Sequence, residues 1–304
     1  MMRKFVSGSL VWAIWIWLPV CLLGQQGAAP GSQVLGPHVV IVPLDRGGSP
    51  VDSLSKESIK LEIQGKPAEI EGVQALRQQP MVFSLLVDVS GSADKFTKQR
   101  VEGASKIFRL LSTDQNRGFL IAFDGAIRSN DRPMTPNETD QILQRMQSIP
   151  RQPGTVIYDA IEHAIDRQVG ESAVPGSLRR VVILLSDGED NSSHLTLDAT
   201  VRAAQRECVP IVSVGFTEKE DWTRPKSKKM ALRTFETLSH GTGGLVTFLD
   251  AKEDVIGRLP SLLEAQEEVI FKGENLEAGK SYSVKLESTI PNVAILSPRN
   301  YIAR

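Results

Sequence analysis

From about residue 80 onward, the chain alternates between short runs that are wholly apolar and longer segments whose apolar residues recur every three or four positions. The runs at 82–87, 119–123 and 181–185 predict strands that are buried on both faces. The longer segments between them predict helices with one apolar face. This alternation predicts an α/β domain over residues 80–266, built on a doubly wound, mostly parallel sheet with helices on both faces.

The two ends of the chain beside this region have a different pattern, in which short β-like runs are separated by turn residues. Neither end has enough strands to be stable alone, since an isolated hairpin is marginal in water. One economical arrangement pairs a β-rich N-terminal flank over residues 36–78 with a β-rich C-terminal flank over residues 268–304, as one small domain. The predicted strands lie at 38–44, 58–63, 68–76, 269–273, 281–287 and 293–296.

The first residues of the chain have the pattern of an export signal. A basic start precedes an apolar run over residues 10–23, and the chain turns polar at Gln25. This predicts a secretory signal peptide over residues 1–24, a linker over residues 25–35, and an extracytoplasmic location, whether secreted, periplasmic or at the cell surface. An uncleaved membrane anchor and lipidation at Cys21 stay open as alternatives. The anchor is disfavoured because the run is shorter than the roughly 20 residues that span a bilayer.

The composition excludes several classes of protein. In 304 residues, 35 Lys and Arg oppose 36 Asp and Glu, so the chain has no basic field that would gather nucleic acid. Apolar residues make up 41%, enough for a substantial core. Two cysteines and four scattered histidines, without an HExxH pair, do not make a Cys-rich zinc module or a zinc-protease motif. Cys208 stands beside an apolar strand, and we expect it to be buried and unreactive.

Oxygen-bearing side chains follow the ends of the predicted strands. Asp88, Ser90 and Ser92 follow the first strand in a D-x-S-x-S pattern. Asp187 follows the third strand, and Thr155 comes just before a helix. Ligand sites of open α/β sheets lie beyond the carboxyl ends of the strands, where strand order reverses, so we expect these three loops to meet. An all-oxygen set of this kind suits Mg²⁺, Mn²⁺ or Ca²⁺ and does not suit zinc.

These Ser, Thr and Asp side chains have an alternative interpretation as caps of helices and turns, which is their commonest role. For any single loop, that interpretation stays open. The occurrence of all three loops in this order favours a metal site. Small residues at Gly91, Gly154 and Gly188 would let the backbone turn tightly around an ion.

The same residues carry a resemblance to the von Willebrand factor type A domain, which extends over residues 80–266. They match the metal-ion-dependent adhesion site of that family, with D-x-S-x-S in the first loop, a threonine in the second and an aspartate in the third, and no ligand position is missing. The resemblance implies that Ser90, Ser92 and Thr155 supply hydroxyls to a bound Mg²⁺, Mn²⁺ or Ca²⁺. It also implies that Asp88 and Asp187 act partly through water.

With its β-rich flanks, the whole chain also resembles a group of secreted bacterial proteins, largely acidobacterial, that carry a type A-related domain. In that group a β-rich lead-in precedes the domain, and a short β tail ends near an Arg-x-x-Tyr sequence. The sequence Arg299-Asn300-Tyr301 is a similar ending.

The resemblance implies a secreted, non-enzymatic module that binds or adheres to another protein through a divalent cation. A largely neutral inner shell leaves the cation a strong attraction for a carboxylate, so an Asp or Glu of a protein or matrix-like ligand completes it. We expect neither nucleic acid nor a small-molecule substrate. A subunit of an ATPase-driven, chelatase-like complex and a metal-assisted hydrolase stay open as alternatives. For the hydrolase, only Glu189 and Asp190 offer acid–base groups near the predicted site.

A long connection over residues 216–229 follows a strand and should lie at the edge of the sheet that carries the metal loops. It combines basic residues with a tryptophan, and this composition suits contact with an acidic partner. A solvated run of charge is the alternative. The predicted contact rim consists of Trp222, Arg224, Lys226, Lys228 and Lys229.

Overall fold

The structure, a computed structural model, describes residues 36–130, 132–148, 150–171, 178–216, 226–249 and 254–304. The predicted signal peptide and linker lie outside these residues, so both stay predictions. Within the described ranges, no helix is both long enough and apolar enough to cross a membrane.

The N-terminal flank forms four short strands. They are β1 (His38–Leu44), β2 (Ile59–Ile63), β3 (Lys66–Pro67) and β4 (Ile70–Ala75). Between β2 and β3, Gln64 and Gly65 both have positive φ values, 53° and 71°. Two successive residues of this kind make the tight hairpin turn that suits the twist of antiparallel strands.

The central region forms a six-stranded sheet from β5 (Met81–Asp88), β6 (Arg117–Phe123), β7 (Ile127–Ser129), β8 (Arg179–Ser186), β9 (Ile211–Gly215) and β10 (Val246–Phe248). In space the order is β10-β9-β8-β5-β6-β7, and only the pair of β6 and β7 is antiparallel. From β5 the chain continues to β6 on one side and reaches β8 on the other. Strand order therefore reverses at β5, where a ligand site is expected.

Helices cover both faces of this sheet: α1 (Thr97–Leu111), α2 (Thr139–Ser148), α3 (Ile157–Gly170), α4 (Leu197–Arg206), α5 (Lys226–Thr242) and α6 (Val255–Glu264). One apolar core joins α1, α2 and α6 to one face, and a second joins α3, α4 and α5 to the other. Because both faces are covered, every residue of β5 is buried. The predicted class is confirmed, an α/β fold on a mostly parallel sheet.

The C-terminal flank adds β11 (Glu267–Phe271), β12 (Ser281–Ser288), β13 (Ala294–Leu296) and β14 (Asn300–Ile302). The flank strands form two four-stranded sheets, in the orders β13-β1-β11-β4 and β14-β12-β2-β3. Each sheet mixes the two flanks, because β1 pairs antiparallel with β11 and β2 pairs antiparallel with β12. A third apolar core lies between them. The two ends of the chain therefore pair with each other in two sheets that share one apolar core.

Three local features differ from the sequence-based expectation. The pattern does not predict β7, because this strand is short, mixes polar with apolar residues and lies at the sheet edge. The connection expected to extend to residue 229 is shorter, since α5 begins at Lys226 in a segment rich in good helix formers. Cys208, expected to be buried, is half-buried.

Candidate metal centre

Asp88 is the last residue of β5 and lies at the carboxyl edge of the sheet, where strand order reverses. Its side chain is fully buried. Its Oδ1 accepts a hydrogen bond from the Ser90 amide at 2.9 Å, and its Oδ2 accepts one from the Ser186 hydroxyl at 2.6 Å. These two bonds fix the carboxylate between the first loop and the end of β8.

The first loop holds two hydroxyls side by side. The Oγ atoms of Ser90 and Ser92 lie 3.1 Å apart, with Ser90 buried and Ser92 exposed. Beneath the loop, the guanidinium of Arg100 is fully buried and donates to the backbone carbonyls of Asp88 at 3.1 Å and Ala93 at 3.3 Å. Arg100 therefore holds the backbone of the loop rather than the Asp88 carboxylate.

The second loop carries Thr155, which is buried and lies just before α3. Its amide donates to Asn191 Oδ1 at 2.9 Å, and its carbonyl accepts a hydrogen bond from the Asn191 amide at 3.1 Å. Gly154 has a φ of 100°, and a Cβ at that position would lie 2.2 Å from Ser192 Oγ. Only glycine suits both this conformation and this close approach. The second and third loops are thus tied together by the backbone of Thr155 and by the backbone and side chain of Asn191.

The third loop begins with Asp187, which directly follows β8 and is half-buried. Its Oδ1 accepts a hydrogen bond from the Glu189 amide at 3.2 Å. Gly188 has a φ of 81°, which lets the chain turn away from the strand. The Ser186 hydroxyl accepts a hydrogen bond from the Gly188 amide at 2.9 Å while it donates to Asp88. Ser186 therefore links the first loop to the third.

A further buried carboxylate, Asp124, directly follows β6 at the same edge, and the sequence analysis missed it. Its Oδ1 accepts from the Ala126 amide at 2.9 Å, while its Oδ2 accepts from the Gln152 amide at 2.9 Å and the Arg128 guanidinium at 3.0 Å. Its carbonyl accepts from the Val156 amide at 2.9 Å. Asp124 thus holds the second loop on both sides of the threonine. The feature of the sequence that could have identified Asp124 is its position directly after a run of apolar residues that predicts a buried strand.

The hydroxyls of the candidate ligands do not act as helix caps. Ser90 is the N-cap residue of a short 3₁₀ turn but makes no side-chain capping bond. The N-cap residues of α1 and α3 are Phe96 and Val156, and neither helix has a side-chain cap at that position. These observations count against the interpretation of the three hydroxyls as helix caps. The two aspartates do cap turns, because Asp88 accepts from the Ser90 amide and Asp187 from the Glu189 amide, so for them that interpretation stays open.

The electrostatics of the site disfavour two bare carboxylates. Burial raises the pKa of Asp88 to about 6, and the negative charge of Asp187 raises it too, against hydrogen bonds from Ser186 and Ser90 that lower it. Ionised Asp88 is therefore costly in the folded chain by itself, and a nearby cation would reduce that cost.

A divalent cation suits this set of side chains. Among the described residues, no group of three or more His, Cys, Asp or Glu could hold a metal ion. The candidate site instead combines two carboxylates with three hydroxyls, all of them oxygen donors of the kind that hard cations prefer. The first and third loops meet through their side chains, and Thr155 joins them through the bonds of its backbone to the third loop.

The predicted contact rim is described only in part. Trp222 and Arg224 lie outside the described residues. The three lysines of the rim lie in the first turn of α5, and Lys229 is exposed. A Cβ on Gly188 would lie 2.9 Å from the Cβ of Ala231, so the start of α5 adjoins the third loop. The first turn of α5 is therefore near the edge of the sheet that carries the candidate site.

The sequence matches a known protein family. The von Willebrand factor type A domain family matches residues 84–249, more than half of the chain. The chain belongs to this family. No curated protein matches the sequence.

Several solved structures are similar at low identity. An aerotolerance-related membrane protein from Bacteroides fragilis is 17% identical with a TM-score of 0.42, and the match covers 60% of this chain and 98% of that one. The pilus adhesin SpaC from Lactobacillus rhamnosus is 11% identical with a TM-score of 0.45, covering 80% and 47%. Proximal thread matrix protein 1 from the mussel byssus, with a zinc-occupied MIDAS motif, is 13% identical with a TM-score of 0.44, covering 66% and 50%.

Proposed function

We propose that this protein is a divalent-cation-dependent binding module, in which Mg²⁺ or a similar ion at the carboxyl edge of the sheet is completed by an acidic residue of a partner protein. The observation that carries the proposal is the juxtaposition of Asp88 and Asp187. The fully buried carboxylate of Asp88 has a raised pKa, caused by burial and by the charge of Asp187. A cation beside the two carboxylates would offset both effects.

The ion would be held by a complete metal-ion-dependent adhesion site made of Asp88, Ser90, Ser92, Thr155 and Asp187. When bound, the ion supplies positive charge and a coordination position for an incoming carboxylate. The chain itself supplies rigidity. Arg100 holds the first loop and Asp124 holds the second, so little of the site has to be ordered when the ion binds.

The proposed module is not an enzyme. Of the two acidic residues that could assist a hydrolase, Asp190 is engaged in the local structure. Its Oδ2 accepts hydrogen bonds from the Ser193 hydroxyl at 2.6 Å and the Tyr158 amide at 3.3 Å. Glu189 is exposed, where its carboxylate is well solvated. Neither residue has the environment expected of a general base tuned for catalysis.

The partner in this proposal is a protein or matrix-like ligand that offers an Asp or Glu carboxylate. The start of α5 adjoins the third loop, and in this proposal its lysines attract an acidic surface towards the ion. The export-type pattern of the first residues supports an extracytoplasmic place of action, as in the secreted bacterial, largely acidobacterial, group that the chain resembles.

Titration calorimetry with Mn²⁺ tests the metal site in the full chain. We expect one site, with Asp187→Asn weakening Mn²⁺ binding by at least about tenfold. Asp198→Ala is the matched control, since Asp198 is an exposed carboxylate on α4 whose partner is Arg202 at 3.4 Å. Equal Mn²⁺ affinity in the parent and the Asp187 variant would contradict the assignment of the site.

Water-proton relaxation of the Mn²⁺ complex tests the open coordination position separately. A bound Mn²⁺ that keeps exchangeable water enhances relaxation, and a synthetic peptide with one glutamate should reduce this enhancement by displacing that water. The same peptide with glutamine is the control. If Mn²⁺ binds but the two peptides act alike, the ion is structural and the partner-completed mechanism is wrong.

A further inference from the structure

Arg100 on α1 places a positive charge beneath the first loop of the candidate site. Its side chain is fully buried, and no fully buried side chain in the described part of the chain is larger. Its hydrogen bonds go to two backbone carbonyls and one hydroxyl rather than to a carboxylate. A buried charge that is not held in an ion pair is costly in free energy. The position of this charge therefore needs an explanation.

The hydrogen bonds of Arg100 do not by themselves require a charged group. One nitrogen, Nη1, donates to both the Asp88 carbonyl at 3.1 Å and the Ala93 carbonyl at 3.3 Å. Its Nη2 donates to the Thr97 hydroxyl at 3.3 Å, and its Nε is buried without a hydrogen-bond partner among the described residues. A neutral side-chain amide also carries two donors on one nitrogen. Support of the loop therefore does not account for the charge.

Arg179 gives a second example of a buried arginine that holds backbone carbonyls. Its Nε donates to the Gln79 carbonyl at 2.9 Å and its Nη1 to the Leu263 carbonyl at 2.8 Å. It is the first of the 8 residues of β8, which span roughly 25 Å, so it lies at the edge of the sheet opposite the candidate site. The carboxylate whose charge acts on Arg179 is the exposed Glu264, whereas that acting most on Arg100 is Asp88.

The charges of Arg100 and Asp88 are coupled inside the protein. Burial lowers the pKa of Arg100, the negative charge of Asp88 raises it, and Arg151 and Asp94 have smaller and opposite effects. Arg151 and Asp94 form an ion pair with each other, so Asp88 is the carboxylate left to face Arg100. An arginine stays protonated in proteins, and buried charges are screened much less than exposed ones. The positive charge of Arg100 therefore acts on the candidate site.

Most other charged groups around the candidate site are already balanced. Two carboxylates near the first and second loops are in ion pairs, Asp94 with Arg151 and Asp124 with Arg128. Asp190 accepts a hydrogen bond from an amide in the first turn of α3, where the helix dipole offsets negative charge. Exposed groups such as Glu189 and Lys229 are screened by solvent. The charged groups that remain are Asp88, Asp187 and Arg100.

We propose that Arg100 is a specificity-determining residue, whose charge makes the occupied site depend on one carboxylate from a partner. This inference rests on the proposed function. Two carboxylates and one guanidinium sum to one negative charge, and a divalent ion changes the sum to one positive charge. One Asp or Glu of a partner makes the site neutral. Without Arg100, the ion and the two carboxylates would already be neutral, and a further negative charge would stabilise the site less.

The test measures the binding of two labelled peptides to the full chain by fluorescence anisotropy, at saturating Mn²⁺ and pH 7. One peptide has a single glutamate and the other has glutamine in its place, and the ratio of their affinities is the preference for a carboxylate. Arg100→Met and Arg100→Gln both remove the charge, and a buried charge can often be replaced by a neutral group of similar volume. We expect each to lower the preference at least about fivefold. A loosened first loop would weaken both peptides alike and leave the preference unchanged.

Mn²⁺ affinity without peptide separates the charge of Arg100 from its hydrogen bonds. Arg100→Lys loses the guanidinium but keeps a positive charge, so it should keep the preference of the parent within about twofold. The two neutral variants should bind Mn²⁺ at least about fivefold more tightly than Arg100→Lys, because a positive charge no longer repels the ion. If the three variants bind Mn²⁺ alike and keep the preference of the parent, Arg100 only supports the loop and the proposal is wrong.

Arg179→Met is the matched control, since it removes a buried arginine of the same kind at the opposite edge of the sheet. It should leave Mn²⁺ affinity and the preference unchanged within about twofold. Urea denaturation checks that each variant is folded. A preference for glutamate that persists equally in Arg100→Met and Arg100→Gln, or that falls as far in Arg179→Met, would overturn the role of Arg100 and leave the proposed function standing. If the parent itself does not distinguish the two peptides, the proposed function fails and this inference fails with it.

Discussion

Asp88 and Asp124 follow or end neighbouring parallel strands of one sheet, and both are fully buried, yet their carboxylates have opposite surroundings. Asp124 accepts hydrogen bonds from two backbone amides and from the guanidinium of Arg128. Asp88 accepts from one amide and one hydroxyl, and the negative charge of Asp187 raises its pKa. The buried guanidinium of Arg100 also interacts with the charge of Asp88, but it donates to backbone carbonyls and not to the carboxylate. The protein thus pairs one carboxylate directly with a guanidinium and places a like charge beside the other.

This difference separates two roles at one edge of the sheet. The interactions of Asp124 are complete within the chain, so its work is to hold the second loop. Asp88 is placed at a cost in free energy that the chain does not remove by itself. Selection for stability alone would favour an ion pair for both carboxylates. The unpaired one marks the place where we propose that an ion binds.

The largest change in the free energy of unfolding should come from removing the carboxylate of Asp124, which forms an ion pair with Arg128. Asp124→Leu leaves the Arg128 guanidinium, which is 15% exposed, without its ion pair, and leaves two backbone amides without an acceptor. We expect the free energy of unfolding to fall by roughly 3–5 kcal/mol, as for a broken buried ion pair. Urea denaturation of the metal-free protein measures this.

Asp198→Ala is the control for this comparison, because it removes a carboxylate that is 85% exposed and paired only across one helical turn. Its effect should stay below about 1 kcal/mol. A loss of similar size in both variants would mean that Asp124 is not a special support of the second loop.

The second prediction concerns Asp88 and the pH dependence of stability. Here the ionised carboxylate destabilises the folded chain, whereas the carboxylate of Asp124 stabilises it. The folded-state pKa of Asp88, about 6, lies above its ordinary value of 3.8. Folding therefore favours the protonated carboxyl, so the contribution of Asp88 to the free energy of unfolding falls as pH rises from about 4 to about 6 and is not regained above that range. The difference corresponds to at most about 3 kcal/mol. Urea denaturation at several pH values, without metal, measures it.

Asp88→Asn sharpens this test, because the amide does not ionise and the fall between about pH 4 and pH 6 should largely disappear. At pH 7 the metal-free variant should be at least as stable as the parent. Addition of Mg²⁺ should stabilise the parent and not the variant, since the proposed site has lost a ligand. A parent and variant with identical pH profiles would show that Asp88 is not under electrostatic stress.

The sequence predicts the strands and helices better than it predicts the contacts that hold the loops of the site. Unbroken apolar runs such as 181–185 and the helical spacing between them depend on local pattern alone, and they define the sheet and the two flanks. The contacts of Asp124 depend on the second loop returning to the same edge, 28 residues further along the chain. In the sequence, an aspartate followed by glycine has the ordinary signature of a turn. Its structural role becomes visible only when the loops are in place.

The same reason explains why the expected burial of Cys208 is wrong, while the expectation that the thiol is unreactive stays a prediction. Its neighbours in sequence predict a buried thiol, but the groups that contact its sulfur come from other parts of the chain. His38 belongs to the first strand and Arg304 is the last residue of the sequence, and both reach the thiol only because the two flanks fold together beside α4. Local pattern thus predicts elements well, while the chemistry of a side chain is decided by contacts between distant segments.

The smallest effect should come from the exposed link between the first two loops. Arg151, in the second loop, pairs with Asp94, just beyond the first, and their side chains are 34% and 52% exposed. Exposed pairs contribute little, so Arg151→Gln should change the free energy of unfolding by less than about 0.5 kcal/mol and Mn²⁺ affinity by less than about threefold. Urea denaturation and calorimetry check these two values. A loss approaching that of Asp124→Leu would mean that the second loop is held from the surface, and the contrast between the paired and unpaired carboxylates would no longer explain how the site is built.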